Sequence, residues 1–230
     1  QSLGLPSIEE FKNEYESSKK GKKAKSELSY KEILFRYIFP NKYIWMLAIA
    51  YAFVYIVRAG VSDWIPKYLM DKGFDYQVSV QTTSFFEIAG IIGMLMTGWC
   101  SDFFFRGRRA PLNVMFAFLV SLPIVGLLFS GSSSLLLDYV LVFISGFFIY
   151  GPQMLIGLNA AELAHKNAAA TAVGFVGLFA YLGAALAGAP LGWVIDNRGW
   201  NGFFIVLISS SLIATVMLFP TLSSQKRQVK

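Results

Sequence analysis

The chain has 230 residues, 55% of them hydrophobic and 15% charged, with a formal net charge of +6 and a mean hydropathy of +0.53. That balance excludes an ordinary soluble domain and indicates a polytopic membrane protein. One cysteine, Cys100, and one histidine, His165, exclude a disulfide framework, and neither a metal set nor a cofactor is expected.

The chain begins at Gln1 with a polar stretch and no signal peptide, as the middle of a longer protein would. Residues 1–40 read as a linker. Lys19, Lys20, Lys22, Lys23 and Lys25 crowd into seven positions, and Tyr30–Phe39 reads as a short amphipathic helix on the membrane surface. Six apolar runs follow, each near the ~20 residues that a membrane helix needs. They cover about Tyr43–Pro66, Ser79–Trp99, Pro111–Phe129, Leu137–Leu158, Ala168–Ile195 and Gly202–Phe219. The six-helix bundle is thus expected over 41–220, with a tail at 221–230. In the fifth run Ala170, Gly174, Gly177, Tyr181, Ala184 and Gly188 form a stripe of mostly small residues at helical spacing, the pattern of close helix packing in lipid. Within the fourth, Gly151-Pro152 is expected to kink or loosen the helix.

Lysine and arginine positions orient the spans. With residue 1 in the cytoplasm, sixteen of the twenty basic residues fall on the inside, three (Lys67, Lys72 and Arg198) fall outside, and Arg58 lies within a span. Both ends are therefore expected in the cytoplasm. The basic charge is explained without nucleic acid. Trp64, Trp193 and Trp200 fall near span ends, where aromatic residues meet the interface.

Arg58 is the exceptional residue. It lies about four residues past the middle of the first run, where a guanidinium costs roughly 2.5–3.5 kcal/mol on insertion scales. Tyr51, Tyr55, Arg58 and Ser62 follow one another at spacings of 4, 3 and 4, so they share one helix face. Three readings are open: a wet cavity that holds an anion, a structural pair with Glu87 or Asp63, or snorkelling of the side chain to the interface. Glu87 lies eight residues into the second run and calls for a cationic partner. His165, alone in a polar loop, carries no assigned role.

The loop after the second run reads G-x-x-S-D-x-x-x-R-G-R-R, with Gly98, Ser101, Asp102, Arg106, Gly107, Arg108 and Arg109 at the fixed positions. This spacing resembles the signature loop of the major facilitator superfamily. Three further stretches resemble the organophosphate:phosphate antiporter family within it: Val54–Leu69, Phe148–Leu158 and Gly174–Gly183. The likeness runs from about Pro40 to Pro220 and corresponds to the carboxyl-terminal six of twelve helices. The fold class it implies is all-α, one half of a twelve-helix transporter in a bacterial inner membrane.

The resemblance implies antiport of an organophosphate against inorganic phosphate by alternating access. In this family two arginines, one from each half, clamp the phosphate; Arg58 matches the one in this half. Tyr55, Tyr150 and Tyr181 match tyrosines of the same cavity, and Asp63 and Glu87 match acids of a salt-bridge network between the halves. Asp102, Arg106, Arg108 and Arg109 match the cytoplasmic loop. The implied partners are an organophosphate, inorganic phosphate, the lipid bilayer and an amino-terminal six-helix half. Arg106–Val114, Gly151–Met154 and Ala187–Gly192 look most like the hexose-phosphate branch, which includes a glucose-6-phosphate sensor; a glycerol-3-phosphate carrier is the other alternative. Val173 and Val176 depart from the Asp and Lys that some hexose-phosphate transporters carry in their eleventh helix. Nothing in the residues suggests an enzyme: there is no Ser-His-acid set and no phosphate loop.

Overall fold

The structure is a computed structural model, and it describes residues 30–130, 135–165 and 168–223. The lysine cluster of 19–25, Lys166 and the tail beyond 223 lie outside the described residues. The described residues are helical nearly throughout. A short helix α1 (Tyr30–Ile33) passes into a π-turn at Leu34–Ile38. Then come α2 (Lys42–Asp71), α3 (Tyr76–Phe103), α4 (Arg109–Leu119), α5 (Ser121–Phe129), α6 (Leu135–Leu163), α7 (Ala169–Ala187) and α8 (Ala189–Leu218).

Local chemistry sets the helix ends. Asn41 caps α2 by accepting from the Tyr43 amide at 3.1 Å, and Asp75 caps α3 by accepting from the Gln77 amide at 2.9 Å. Helix α2 ends in a Schellman motif: the Phe74 amide donates to the Leu69 carbonyl and the Gly73 amide to Met70, with Gly73 at φ +93°. Five helical stretches are long and apolar enough to cross a membrane. The last runs for 55 residues, Ala169–Ser223, about 80 Å if straight, which is more than two bilayer cores. It is broken at Gly188, where ψ leaves the helical region, and again at Gly199, whose φ of +64° favours glycine.

Pairwise contacts show which way each helix runs. Arg58 meets Glu87 and Thr83 bonds the Ser62 carbonyl, so α3 runs against α2. Asp138 meets Lys72 and Tyr51 bonds the Gln153 carbonyl, so α6 also runs against α2. Trp45 touches Phe175, Tyr55 touches Tyr181 and Trp64 bonds the Ala187 carbonyl, so α7 runs with α2. After Gly199 the direction reverses: Trp200 packs on Tyr68, whereas a Cβ at Gly60 would meet Leu207. The chain therefore makes six passes that alternate in direction. The third is α4 plus α5, and the fifth and sixth divide at Gly199.

The expected short helix before the first pass is present, but it is tied to the bundle. Ile38 is fully buried and Tyr37 stacks on His165 at 4.8 Å. The small-residue stripe is not the packing face: nothing lies within 4 Å of a Cβ at Gly174 or Gly177, and Tyr181 is 74% exposed. The close approach uses Gly183, one helical face away. A Cβ there would sit 2.0 Å from the Ala52 carbonyl oxygen. Helices α3 and α6 touch in the same way, a Cβ at Gly93 falling 2.0 Å from the Phe147 carbonyl oxygen. Of the span-end tryptophans, Trp64 and Trp200 bond within the bundle while Trp193 stays exposed. Pro152 lies inside α6 without ending it.

A buried ion pair pins the Asp71 end. Lys72 Nζ donates to Asp138 Oδ2 at 2.7 Å, with the Asp138 side chain 0% exposed, and to Ser130 Oγ at 3.3 Å. Tyr68 supplies a ring 4.9 Å from the ammonium and a hydroxyl 3.2 Å from Ser130 Oγ. The network joins α2, the end of α5 and the first turn of α6.

Two stability outcomes are expected. Gly183→Ala forces α7 away from the α2 backbone and lowers stability by about 1–3 kcal/mol, measured as thermal unfolding in detergent; Gly177→Ala leaves it unchanged. Asp138→Ala strands the Lys72 charge and costs about 3–5 kcal/mol, whereas the double change Lys72→Met with Asp138→Leu recovers most of that loss.

Candidate functional site

The site forms where α2, α3 and α6 cross. Arg58 lies on α2, Glu87 on α3 and Tyr150 on α6. Tyr150 reaches Arg58 because α3 presents Gly90 beneath its ring: a Cβ at Gly90 would fall 2.4 Å from that ring. The ring also packs edge-on against Phe86 at 5.8 Å. Glycines on α3 thus provide the room that brings a bulky phenol from α6 to the guanidinium.

Arg58 Nη2 donates to Tyr150 Oη at 2.9 Å, and the same hydroxyl donates to Glu87 Oε2. Glu87 Oε1 lies 3.5 Å from Arg58 Nη2. The guanidinium sits 5.1 Å from the Tyr150 ring centroid and 5.9 Å from that of Tyr55, within cation–π range. Tyr51 and Tyr55 pack edge to face at 4.9 Å. The expected cationic partner of Glu87 is thus Arg58, within the same six helices. The pair is half open to its surroundings, with side chains 29% and 41% exposed.

Arg58 is incompletely satisfied. A guanidinium has five donors, and Arg58 Nε is buried without a hydrogen-bond partner. Two adjacent donors on a planar fork match two oxygens of a carboxylate or phosphate. Such a fork can take an oxyanion; here Tyr150 and Glu87 both meet Nη2, and the neighbouring Nε is the donor left over. No three His, Cys, Asp or Glu side chains converge among the described residues, so no metal site is assigned.

The remaining expected residues divide. Tyr55 stands beside Arg58, and Tyr181 lies 6.2 Å from Tyr55, centroid to centroid, on the open face. Asp63 is not brought to the site: it is exposed and makes no ion pair among the described residues. At the Asn41 end, Arg109 is the hub of the loop. It bonds Asp102 at 2.8 Å and Ser101 at 3.2 Å and reaches Glu162 on α6 at 3.3 Å. Arg106, at φ +53°, is exposed, and Arg108 precedes α4 as its cap residue. Glu162 was not singled out from the sequence, although an acid one pass away from a basic loop is the available signal. The Lys72–Asp138 pair was also missed, because Lys72 read as an exposed charge.

Residues 7–188 match the model of the Major Facilitator Superfamily. The chain belongs to that superfamily. It is 45% identical to the "Probable hexose phosphate transport protein" of Chlamydia muridarum, over 100% of this chain and 53% of that protein. It is 46% identical to the glycerol-3-phosphate transporter of Bacillus subtilis, over 99% of this chain and 51% of that protein. It is 42% identical to the membrane sensor protein UhpC of Escherichia coli, over 98% of this chain and 51% of that protein. The chain thus spans about half the length of the curated relatives it matches. Six passes and this membership make it a multi-pass membrane protein.

Arg109→Ala releases two carboxylates, Asp102 on α3 and Glu162 on α6, from α4. Because those acids are largely exposed, the expected loss is about 1–2 kcal/mol, and Asp102→Asn alone costs less than about 1 kcal/mol; thermal unfolding in detergent checks both.

Proposed function

We propose that this chain is the carboxyl-terminal half of an organophosphate:phosphate antiporter, and that Arg58 is its phosphate ligand. The observation that carries the reading is the intramembrane guanidinium, held on one side by Tyr150 and Glu87 and left with a buried, unpartnered Nε. The names of the relatives support a phosphate-bearing organic substrate: hexose phosphate, glycerol-3-phosphate and, for a Salmonella protein 35% identical, phosphoglycerate. Inorganic phosphate and the phosphoryl group of an organophosphate offer the same oxygens, so one clamp serves both exchange partners. The identities to the hexose-phosphate and glycerol-3-phosphate proteins differ by one point. The hexose-phosphate reading therefore rests on the local stretches that resemble that branch.

In this proposal a second arginine comes from an amino-terminal six-helix half, and the two halves rock about the site. Residues 1–40 link the halves and 41–220 form the transporting bundle. Entry of phosphate draws Arg58 from Glu87, which converts an internal ion pair into a ligand contact. The Asn41 end faces the cytoplasm of a bacterial inner membrane, as the basic residues Arg36, Lys42, Arg106, Arg108 and Arg109 at that end favour. A sensor reading is supported by the likeness to the membrane sensor protein and would use the same ligand site.

The test is exchange of radiolabelled phosphate by the twelve-helix carrier containing this chain, reconstituted in liposomes. Glucose-6-phosphate is expected to compete and to be taken up in exchange. Arg58→Ala removes at least two charge-assisted bonds and lowers exchange roughly a hundredfold or more. Arg58→Lys keeps the charge but loses the fork, with a loss of roughly tenfold or more. Normal exchange in either variant refutes the clamp, and saturable glucose-6-phosphate binding without exchange establishes the sensor instead.

A further inference from the structure

We propose that Gln153 reads the carbon skeleton of the organophosphate, its carboxamide binding skeleton hydroxyls while Arg58 holds the phosphate. The inference rests on the phosphate-clamp reading above and adds a specificity residue to that site.

Gln153 follows Tyr150 by three residues on α6, which places it roughly 4.5 Å further along the helix axis, toward the Asn41 end, and about 60° around it. Its backbone carbonyl accepts the Tyr51 hydroxyl at 2.9 Å. That bond seats Gln153 against the α2 face that carries Tyr51, Tyr55 and Arg58 in sequence. The geometry thus sets an amide one helical turn from the phenol that touches the guanidinium.

The side-chain oxygen of Gln153 is closed to solvent and has no hydrogen-bond partner. Buried polar atoms are nearly always paired, and an orphan calls for an explanation. A ligand hydroxyl supplies the missing donor, and the amide's own N–H groups can bond the next hydroxyl oxygen. The Tyr51–Tyr55 pair at 4.9 Å offers an aromatic wall for the C–H face of a polyol. The basic side chains of the other described segments lie at helix ends and in loops, so Arg58 alone meets a negative charge within the passes of this half. A neutral amide one turn of α6 from Tyr150 suits a neutral, hydroxylated skeleton better than a second carboxylate. A site built to bond a hydroxyl discriminates strongly against a molecule that lacks it.

The test compares the parent twelve-helix carrier with Gln153→Leu, of similar size, and Gln153→Asn, which keeps the amide but draws it back. Exchange is measured in liposomes with inorganic phosphate, glucose-6-phosphate and 2-deoxyglucose-6-phosphate. A single neutral hydrogen bond corresponds to roughly a threefold to tenfold change in affinity. Gln153→Leu is therefore expected to raise KM for glucose-6-phosphate about tenfold relative to KM for inorganic phosphate, with Gln153→Asn intermediate. At least one hydroxyl-deleted sugar phosphate should be less sensitive than its parent. Equal changes for phosphate and sugar phosphate, or no change for either, overturn the inference. Arg58→Lys in parallel separates the two levels: if it weakens both substrates while Gln153→Leu does not alter their ratio, the clamp stands and the role of Gln153 falls. If Arg58→Lys weakens neither, both fall.

Discussion

A guanidinium inside a bilayer must be met by anions, dipoles or water, and the centre of this bundle is arranged around that requirement. Arg58 is neither withdrawn to an interface nor fully neutralised. Glu87 stands at 3.5 Å, longer than a tight ion pair, with the Tyr150 hydroxyl bridging the two. The buried Nε is left over. A purely structural arginine would be expected to spend its donors inside the protein. The partial satisfaction of Arg58 is what supports the phosphate-ligand proposal over a purely structural role, and the rings of Tyr150 and Tyr55 flank the guanidinium.

That arrangement depends on glycine elsewhere. Tyr150 reaches Arg58 because Gly90 clears its ring, and α3 approaches α6 closely because Gly93 and Gly146 let the facing backbones nearly touch. Without those approaches Glu87 and Tyr150 would stand on separated helices, and Arg58 would face a carboxylate without the intervening hydroxyl. The packing of the half and the electrostatics of its site are therefore one problem. In lipid, where apolar surface gives helices little reason to associate, such close contacts are a principal source of cohesion.

Much of this was legible in the chain. Length and apolarity located all six passes to within a few residues, and the 4-3-4 spacing of Tyr51, Tyr55, Arg58 and Ser62 placed a polar face toward the site. What periodicity could not deliver was the partner of each charge. Glu87 read as an acid awaiting a cation, but whether Arg58 answered it depended on how far α3 and α2 are offset, a tertiary quantity. Asp63, five residues from Arg58, lies on another face and remains exposed. Gly183 and the stripe through Gly174 and Gly177 look alike in sequence. Only the position of α2 decides which of them is the contact. Lys72 read as a surface charge because the acid that buries it, Asp138, begins another helix after a loop.

The two ends of the bundle are secured by interactions of different kinds, and the difference bears on motion. At the Asp71 end, Lys72 and Asp138 form a pair largely withdrawn from solvent, and separating two such charges leaves each desolvated and alone. At the Asn41 end, Arg109 joins Asp102 and Glu162, both substantially exposed, so water replaces each contact at small cost. Arg58 lies between them on α2, and Tyr150 between them on α6. A rearrangement that opens the site while preserving the fold meets least resistance at the Arg109 end, where charges can exchange partners with solvent. The buried pair keeps α2 and α6 in register at the opposite end.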